Sequence, residues 1–229
     1  SRGLGDVYKR QVLIHEGGYA NVSGDAGGQT YCGIARKANP NWKGWKIVDA
    51  NMPLKHNQKL NNAELDNLVF DVYKKNYYVP MKIDMIDDLM ISAHVFCHGV
   101  NAGNKAAIIL LQKAINVVYG INIAVDGIIG STTLQYTNRT DRVIDLGKEL
   151  IQQRNNFYRN IVKNKPSQKK FLNGWLNRVT GTTNTVLKAE QKPVQNVLYA
   201  DYQVKEDNNS NLLTSIGKGI LNLFKRKIG

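Results

Sequence analysis

The stretch Ile14-His15-Glu16-Gly17-Gly18-Tyr19, followed by Asp25-Ala26-Gly27-Gly28-Gln29-Thr30 and then by Gly33-Ile34, sets the reading of the whole chain. Val12, Leu13 and the residues before them predict a helix, and Gly17-Gly18 supplies the left-handed cap that ends it. Glu16 then falls in the last helical turn, where the negative end of the helix dipole disfavours an ionised carboxylate. Ile14 and Tyr19 strip water from the same carboxyl and push its pKa further up. A carboxyl that keeps its proton near neutrality is what general acid catalysis requires, so Glu16 is the candidate acid. Alone, a Glu at a helix end reads as an ordinary surface residue; its neighbours change that reading.

From Tyr19 to Ile34 the chain carries Asn21, Ser23, Gly24, Asp25, Gly27 and Gly28, then Thr30-Tyr31-Cys32, which predicts a short irregular β-hairpin beside the helix. Such a hairpin walls one side of a cleft. Asp25 and Thr30 both lie across its turn from Glu16, on the side from which water attacks a sugar held against the acid. Glycosidic hydrolysis uses one protonated carboxyl for the leaving oxygen and one ionised group to orient or activate water, and these residue types are supplied here. A plainer role stays open for Asp25, as an Asx-turn residue of the hairpin. Tyr19 and Tyr31 on the hairpin, with His98 and Asn101 on the helices across the cleft, are the candidate substrate-binding residues.

The order and spacing of Glu16-Gly17-Gly18-Tyr19, Asp25, Gly27-Gly28, Thr30 and Gly33-Ile34 resemble the start of the phage and bacterial N-acetylmuramidases of glycoside hydrolase family 108, relatives of phage-type lysozymes. Val100-Asn101-Ala102-Gly103 resembles the family's turn between two core helices. The run Val125-Asp126-Gly127-Ile128-Ile129-Gly130-Ser131-Thr132-Thr133-Leu134 resembles the loop and helix start of its peptidoglycan-binding half, and Gly174-Trp175-Leu176-Asn177-Arg178-Val179 the end of its domain. The likeness spans Tyr8 to Val179. It implies a mainly α, lysozyme-like helical domain with a small β-hairpin beside the active-site helix. It also implies cleavage of the glycan strand of bacterial peptidoglycan with Glu16 as the essential acid, and Asp25 and Thr30 in the roles of the wider lysozyme pattern. Cys32 stands where the family carries an aromatic residue, and Cys97-His98 where it carries Asp or Asn with Phe or Trp.

The rest predicts helices. Asn61-Asn62-Ala63-Glu64 opens one whose Leu65, Leu68, Val69, Val72 and Tyr73 share a face. Ile86 to Cys97 is a second. Asn104 to Tyr119 is apolar nearly all round, as a buried central helix would be, and Gly120 ends it. A shorter helix starts at Thr132, and a long one runs from Asp141 to about Val162 with Val143, Leu146, Leu150, Ile151, Phe157, Tyr158 and Ile161 inward; Phe171 to Val179 closes the domain. The expected organisation is a foreign or disordered start over 1–7, a catalytic lobe over 8–100, a helical peptidoglycan-binding-like half over 101–180, a polar linker over 181–210 and a cationic amphipathic helix over 211–229. In that last segment Leu212, Leu213, Ile216, Ile220, Leu223 and Phe224 make one apolar stripe beside Lys218, Lys225, Arg226 and Lys227, the composition of a helix at an anionic membrane or lipopolysaccharide surface.

A chain of 229 residues with 42% hydrophobic content can bury one sizeable core or two small ones. The formal charge of +13 calls for an anionic partner. Bacterial cell wall fits, whereas no helix-turn-helix spacing, zinc-finger set or single-strand-binding aromatic pattern points to nucleic acid. A monomer without cofactor or metal is expected, acting at the cell wall or periplasm; the first residues show no signal-peptide pattern, which leaves localisation open. Cys32 and Cys97 permit either one disulfide or two buried thiols. His94 and His98 at i, i+4 with Cys97 beside them offer zinc donors, so a zinc-dependent peptidoglycan amidase or peptidase is the alternative enzyme, although Val95 occupies the position where a metalloprotease helix needs Glu. A non-catalytic wall-binding protein is the alternative of another class.

Overall fold

A computed structural model describes residues 17–21 and 28–190. Three two-residue strands come first: β1 (Tyr19–Ala20), β2 (Thr30–Tyr31) and β3 (Ile34–Ala35), antiparallel in the order β1-β2-β3. The pairing sets Tyr19 opposite Tyr31 and Ala20 opposite Thr30, then Tyr31 opposite Ile34. Only Cys32 and Gly33 connect β2 to β3, at φ 45° and 75°. Two successive positive φ values are the signature of a type I′ turn, whose twist matches that of paired strands. The predicted hairpin is therefore present and gains a third strand.

Strands this short are held from outside. The Gly18 N–H donates to Asn57 Oδ1 and the Tyr19 N–H to the Gln58 carbonyl, while the Asn57 N–H donates to the Tyr19 carbonyl. Gly18 is not left-handed; a Cβ there would lie 2.3 Å from the Gln58 carbonyl oxygen and 2.4 Å from that of Asn57. The cap expected of this glycine is corrected accordingly: glycine is needed for a close approach of two backbones.

Among the described residues seven α-helices follow: α1 (Gly44–Ala50), α2 (Ala63–Tyr73), α3 (Leu89–Ala102), α4 (Asn104–Tyr119), α5 (Ser131–Thr137), α6 (Val143–Asn164) and α7 (Lys169–Glu190). Asn62 caps α2 by accepting from the Leu65 N–H, and Asp88 caps α3 by accepting from the Ile91 N–H. The Asp88 cap moves the start of α3 past the expected Ile86. Gly120, at φ 63°, ends α4 as read from the sequence. Helix α4 packs on α3 and α6, and α7 on α3 and α6, so one apolar core runs from Tyr31 and Leu65 through Leu111 and Ile115 to Leu150 and Val186. That core crosses the expected boundary at residue 100. Helix α7 also continues to Glu190 with Thr182 and Val186 buried; the linker expected from 181 is corrected over 181–190, because Val179, Thr182 and Val186 keep one helical face against the bundle. Residues 1–7, the helix expected before Gly17, the remainder of the expected linker and the cationic segment 211–229 lie outside the described residues. No described helix is long and apolar enough to cross a membrane.

Candidate active site

The hairpin is a wall with two faces. Neighbouring side chains on a strand point to opposite sides, and Tyr31 is buried while Thr30 is half-exposed. Tyr31 stacks on Trp42 at 6.5 Å, and its hydroxyl accepts from the Leu60 N–H at 2.9 Å; burial, the largest influence, raises its pKa. The Tyr73 hydroxyl donates to the Cys32 carbonyl at 2.9 Å, which pins the left-handed turn to α2. Tyr19 is buried too, with its hydroxyl accepting from Gln29 Nε2. Thr30 thus lies in the central strand, with Tyr19 and Tyr31 as its structural support. Glu16 and Asp25 fall outside the described residues, but the strand that begins just after Glu16 is fixed through Gly18 and Tyr19.

On the other side of the sequence prediction, Asn101 is exposed near the end of α3 with both halves of its amide engaged. Its Nδ2 donates to the Cys97 carbonyl at 2.8 Å, and Arg178 Nη1 donates to its Oδ1 at 2.7 Å. This residue ties α3 to α7. His98 is 1% exposed. Its ring meets Phe157 edge-on at 4.8 Å, and its Nδ1 lies 3.5 Å from the Tyr158 hydroxyl. The expectation of direct substrate contact by His98 is corrected: the side chain points into the bundle, because its i, i+4 partner His94 lies on the same inward face. Desolvation first, and then the nearby Arg154 guanidinium, lower the His98 pKa to about 3, so the ring is neutral.

Arg154 is the residue sequence reading missed. It is fully buried on α6, and Nη1 contacts His94 Nδ1. The other His94 nitrogen, Nε2, meets Thr183 Oγ1 at 3.1 Å. Burial, then Arg154, holds the His94 pKa well below its ordinary value. Both ring nitrogens of His94 are committed to protein groups and a guanidinium occupies the space between the helices, so His94, Cys97 and His98 do not form a zinc cage. Cys32 and Cys97 are both buried and are not joined in a disulfide. The signal for Arg154 was available: Leu146, Leu150, Arg154 and Tyr158 recur at i, i+4 along the inward stripe of α6.

The Asp126 loop is structural as well. Gln112, buried on α4, donates to Asp126 Oδ1 at 2.8 Å and to the Ile128 carbonyl at 3.0 Å, and accepts from the Gly127 N–H at 2.9 Å. Gly127, at φ 77°, allows the turn. The side-chain hydrogen bond from Gln112, then that of the Ile128 N–H, lowers the Asp126 pKa and keeps it ionised as the anchor of this loop.

Residues 9–103 match the family model for glycosyl hydrolase 108, and residues 106–180 match that of a predicted peptidoglycan domain. The part of the chain through α3 is thus similar to the glycosyl hydrolase 108 family, and the part from α4 onward to a peptidoglycan domain. The two matches meet at the Gly103 turn between α3 and α4. Among solved structures the chain is similar to Brucella abortus SagA, with a TM-score of 0.54 and 21% identity over 85% of this chain and 100% of that one. At that identity the likeness speaks for the fold, which is mainly α and lysozyme-like. No curated protein matches the chain. Its two families together define a peptidoglycan hydrolase of the glycoside hydrolase class.

Proposed function

We propose that this chain is an N-acetylmuramidase of the endolysin type, cleaving the β-1,4 bond between N-acetylmuramic acid and N-acetylglucosamine in bacterial peptidoglycan. Glu16 protonates the leaving oxygen, Asp25 orients the attacking water and Thr30 supports that water from the hairpin. The observation that carries this reading is the anchoring of the hairpin wall. Gly18 and Tyr19, immediately after Glu16 in the chain, are locked to residues 57 and 58, and Thr30 sits in the central strand of the same sheet. A site whose parts are held by backbone hydrogen bonds keeps its geometry as the substrate charge changes, which is what electrostatic catalysis needs. On the opposite wall the exposed Asn101 stays the candidate for substrate contact, while the buried His98 supports α3 from inside the bundle.

The test is mass spectrometry of muropeptides released from purified sacculi. Fragments ending in reducing N-acetylmuramic acid are expected; reducing glucosamine, free stem peptides or no release would each overturn the muramidase reading, the last in favour of a wall-binding protein. Glu16→Gln is expected to keep the fold and lower the rate at least about a hundredfold, and near wild-type lysis with an unchanged Tm would remove Glu16 from the acid role. The composition of residues 211–229 supports contact with an anionic membrane or lipopolysaccharide. Deleting them is expected to weaken binding to anionic vesicles while hydrolysis of isolated sacculi continues; loss of both would make the segment a structural part of the enzyme.

A further inference from the structure

Beside the anchored hairpin lies a pocket of about 280 Å³ lined by Tyr31, Cys32, Lys59, Leu60, Asn61 and Asp66. It borders the hairpin directly. The Cys32 N–H donates to the Gly18 carbonyl at 3.3 Å, and Lys59 follows Gln58, whose carbonyl accepts from Tyr19. Two elements build its floor from buried atoms: Tyr31 and Cys32 are each 1% exposed, and the Tyr31 hydroxyl is already spent on the Leu60 N–H. The rim is different in kind. Lys59 and Asn61 are exposed and Asp66 is half-exposed, so an apolar floor is framed by an ammonium, a carboxamide and a carboxylate. Cys32 reaches the floor from a left-handed turn at φ 45°, a conformation disfavoured for a side-chain-bearing residue and held here by Tyr73.

The glycan strand of peptidoglycan is built of uncharged N-acetylated sugars wherever the lactyl carboxyl is amidated, and the charges sit on the peptide stems. A stem offers amides, methyl groups, carboxylates and, in uncrosslinked material, an amine. From this match we infer that the pocket is a subsite for the peptide stem, with Lys59 taking a stem carboxylate, Asn61 the stem amides and Asp66 a stem ammonium. Apolar contact with Leu60 and Cys32 seats the alanine methyls. The inference rests on the hydrolase reading above and adds to it: the enzyme reads the stem as well as the sugar.

The experiment compares two substrates, purified sacculi and the same glycan strands stripped of stems by an amidase, using the full chain and its Lys59→Gln, Asp66→Asn and Glu64→Gln variants. Glu64 lies in the same helical turn as Asp66 without lining the pocket and controls for effects on α2. Charge-assisted hydrogen bonds of this kind are expected to give a loss of about tenfold or more. The ratio of kcat/KM on intact over stripped substrate is expected to fall by that factor in Lys59→Gln and Asp66→Asn, and to hold in Glu64→Gln. Equal losses on both substrates, or none, would overturn the subsite. Sedimentation with intact and stripped sacculi reads the same pocket without catalysis, and should show the same ratio falling in the two pocket variants. A wild-type chain that releases no reducing ends from either substrate would refute the hydrolase reading, and the sedimentation ratio would then decide the subsite by itself.

Discussion

In the helical bundle, Leu111, Ile115, Leu146 and Leu150 are closed off from water, and each stabilises through the apolar area it buries. In the hairpin lobe the strands are two residues long, and their position comes from backbone hydrogen bonds to residues 57 and 58 and from one left-handed turn fixed by the Tyr73 hydroxyl. The difference teaches how the work is divided. Apolar burial is non-directional, so it holds helices together while tolerating small adjustments; hydrogen bonds are directional, so they fix where a catalytic wall stands. The bundle also hides a guanidinium and two neutral imidazoles, whereas the lobe holds Lys59 and Asp66 at the pocket rim.

The largest effect should come from the bundle. Leu111→Ala removes a fully buried side chain in the middle of α4 and is expected to cost about 2–5 kcal/mol in urea unfolding. A cost below about 1 kcal/mol would mean that α4 is not the centre of the core. Next comes the lobe: Gly18→Ala drives a methyl into the Gln58 and Asn57 carbonyls and is expected to cost about 1–3 kcal/mol. Its loss of lytic rate should exceed that of Leu111→Ala measured at a temperature where both variants are folded. Comparable rates would show that the lobe's geometry does not depend on the Gly18 contact, and would erase the contrast drawn above.

The smallest effect is graded by pH. His98 has an ordinary pKa of 6.5 and a folded value of about 3. As pH falls through 6.5 the unfolded chain takes up a proton that the folded chain refuses until about pH 3, so stability declines across that window. The slope from this group is up to about 1.4 kcal/mol per pH unit, and His94, lowered in the same direction, adds to it. Urea midpoints at pH 6.5, 5.5 and 4.5 should fall in sequence, and His98→Gln should flatten the series by up to one proton. An unchanged slope would mean that His98 protonates in the folded protein and faces water, which would return it to the cleft.

Much of the architecture was legible because it follows from local patterns. The apolar spacing of Leu65, Val69 and Tyr73, the Asn62 cap and the Gly120 stop each act within one helix, and each is found where the sequence placed it. Helix α1 was not expected; its seven residues, Gly44–Ala50, make barely two turns, short of the window of roughly 11–18 residues over which helical periodicity stands out, and Trp45 and Val48 become buried only against neighbouring elements. The continuation of α7 past Val179 escaped notice for a related reason. Thr182, Thr183 and Asn184 read as linker residues until the bundle supplies a face for Thr182 and Val186 to bury against.

For the site, the sequence by itself determined the chemistry on offer: Glu16, Asp25 and Thr30 around glycines, in an order that resembles one family. It also fixed the net charge at +13, which favours an anionic partner, because net charge is a sum over residues and needs no fold. Only the tertiary structure decided which polar residues are spent on the protein itself. His98 and Asn101 have the side chains of ligand-binding residues, yet one is enclosed by Phe157 and Tyr158 and the other bridges to Arg178. Lys59, Asn61 and Asp66, unremarkable in sequence, become the rim of a pocket because the hairpin packs beside them. The physical reason is that burial and pairing are properties of space: contacts between residues distant along the chain leave no period and no motif, and they are fixed only when the helices close on one another.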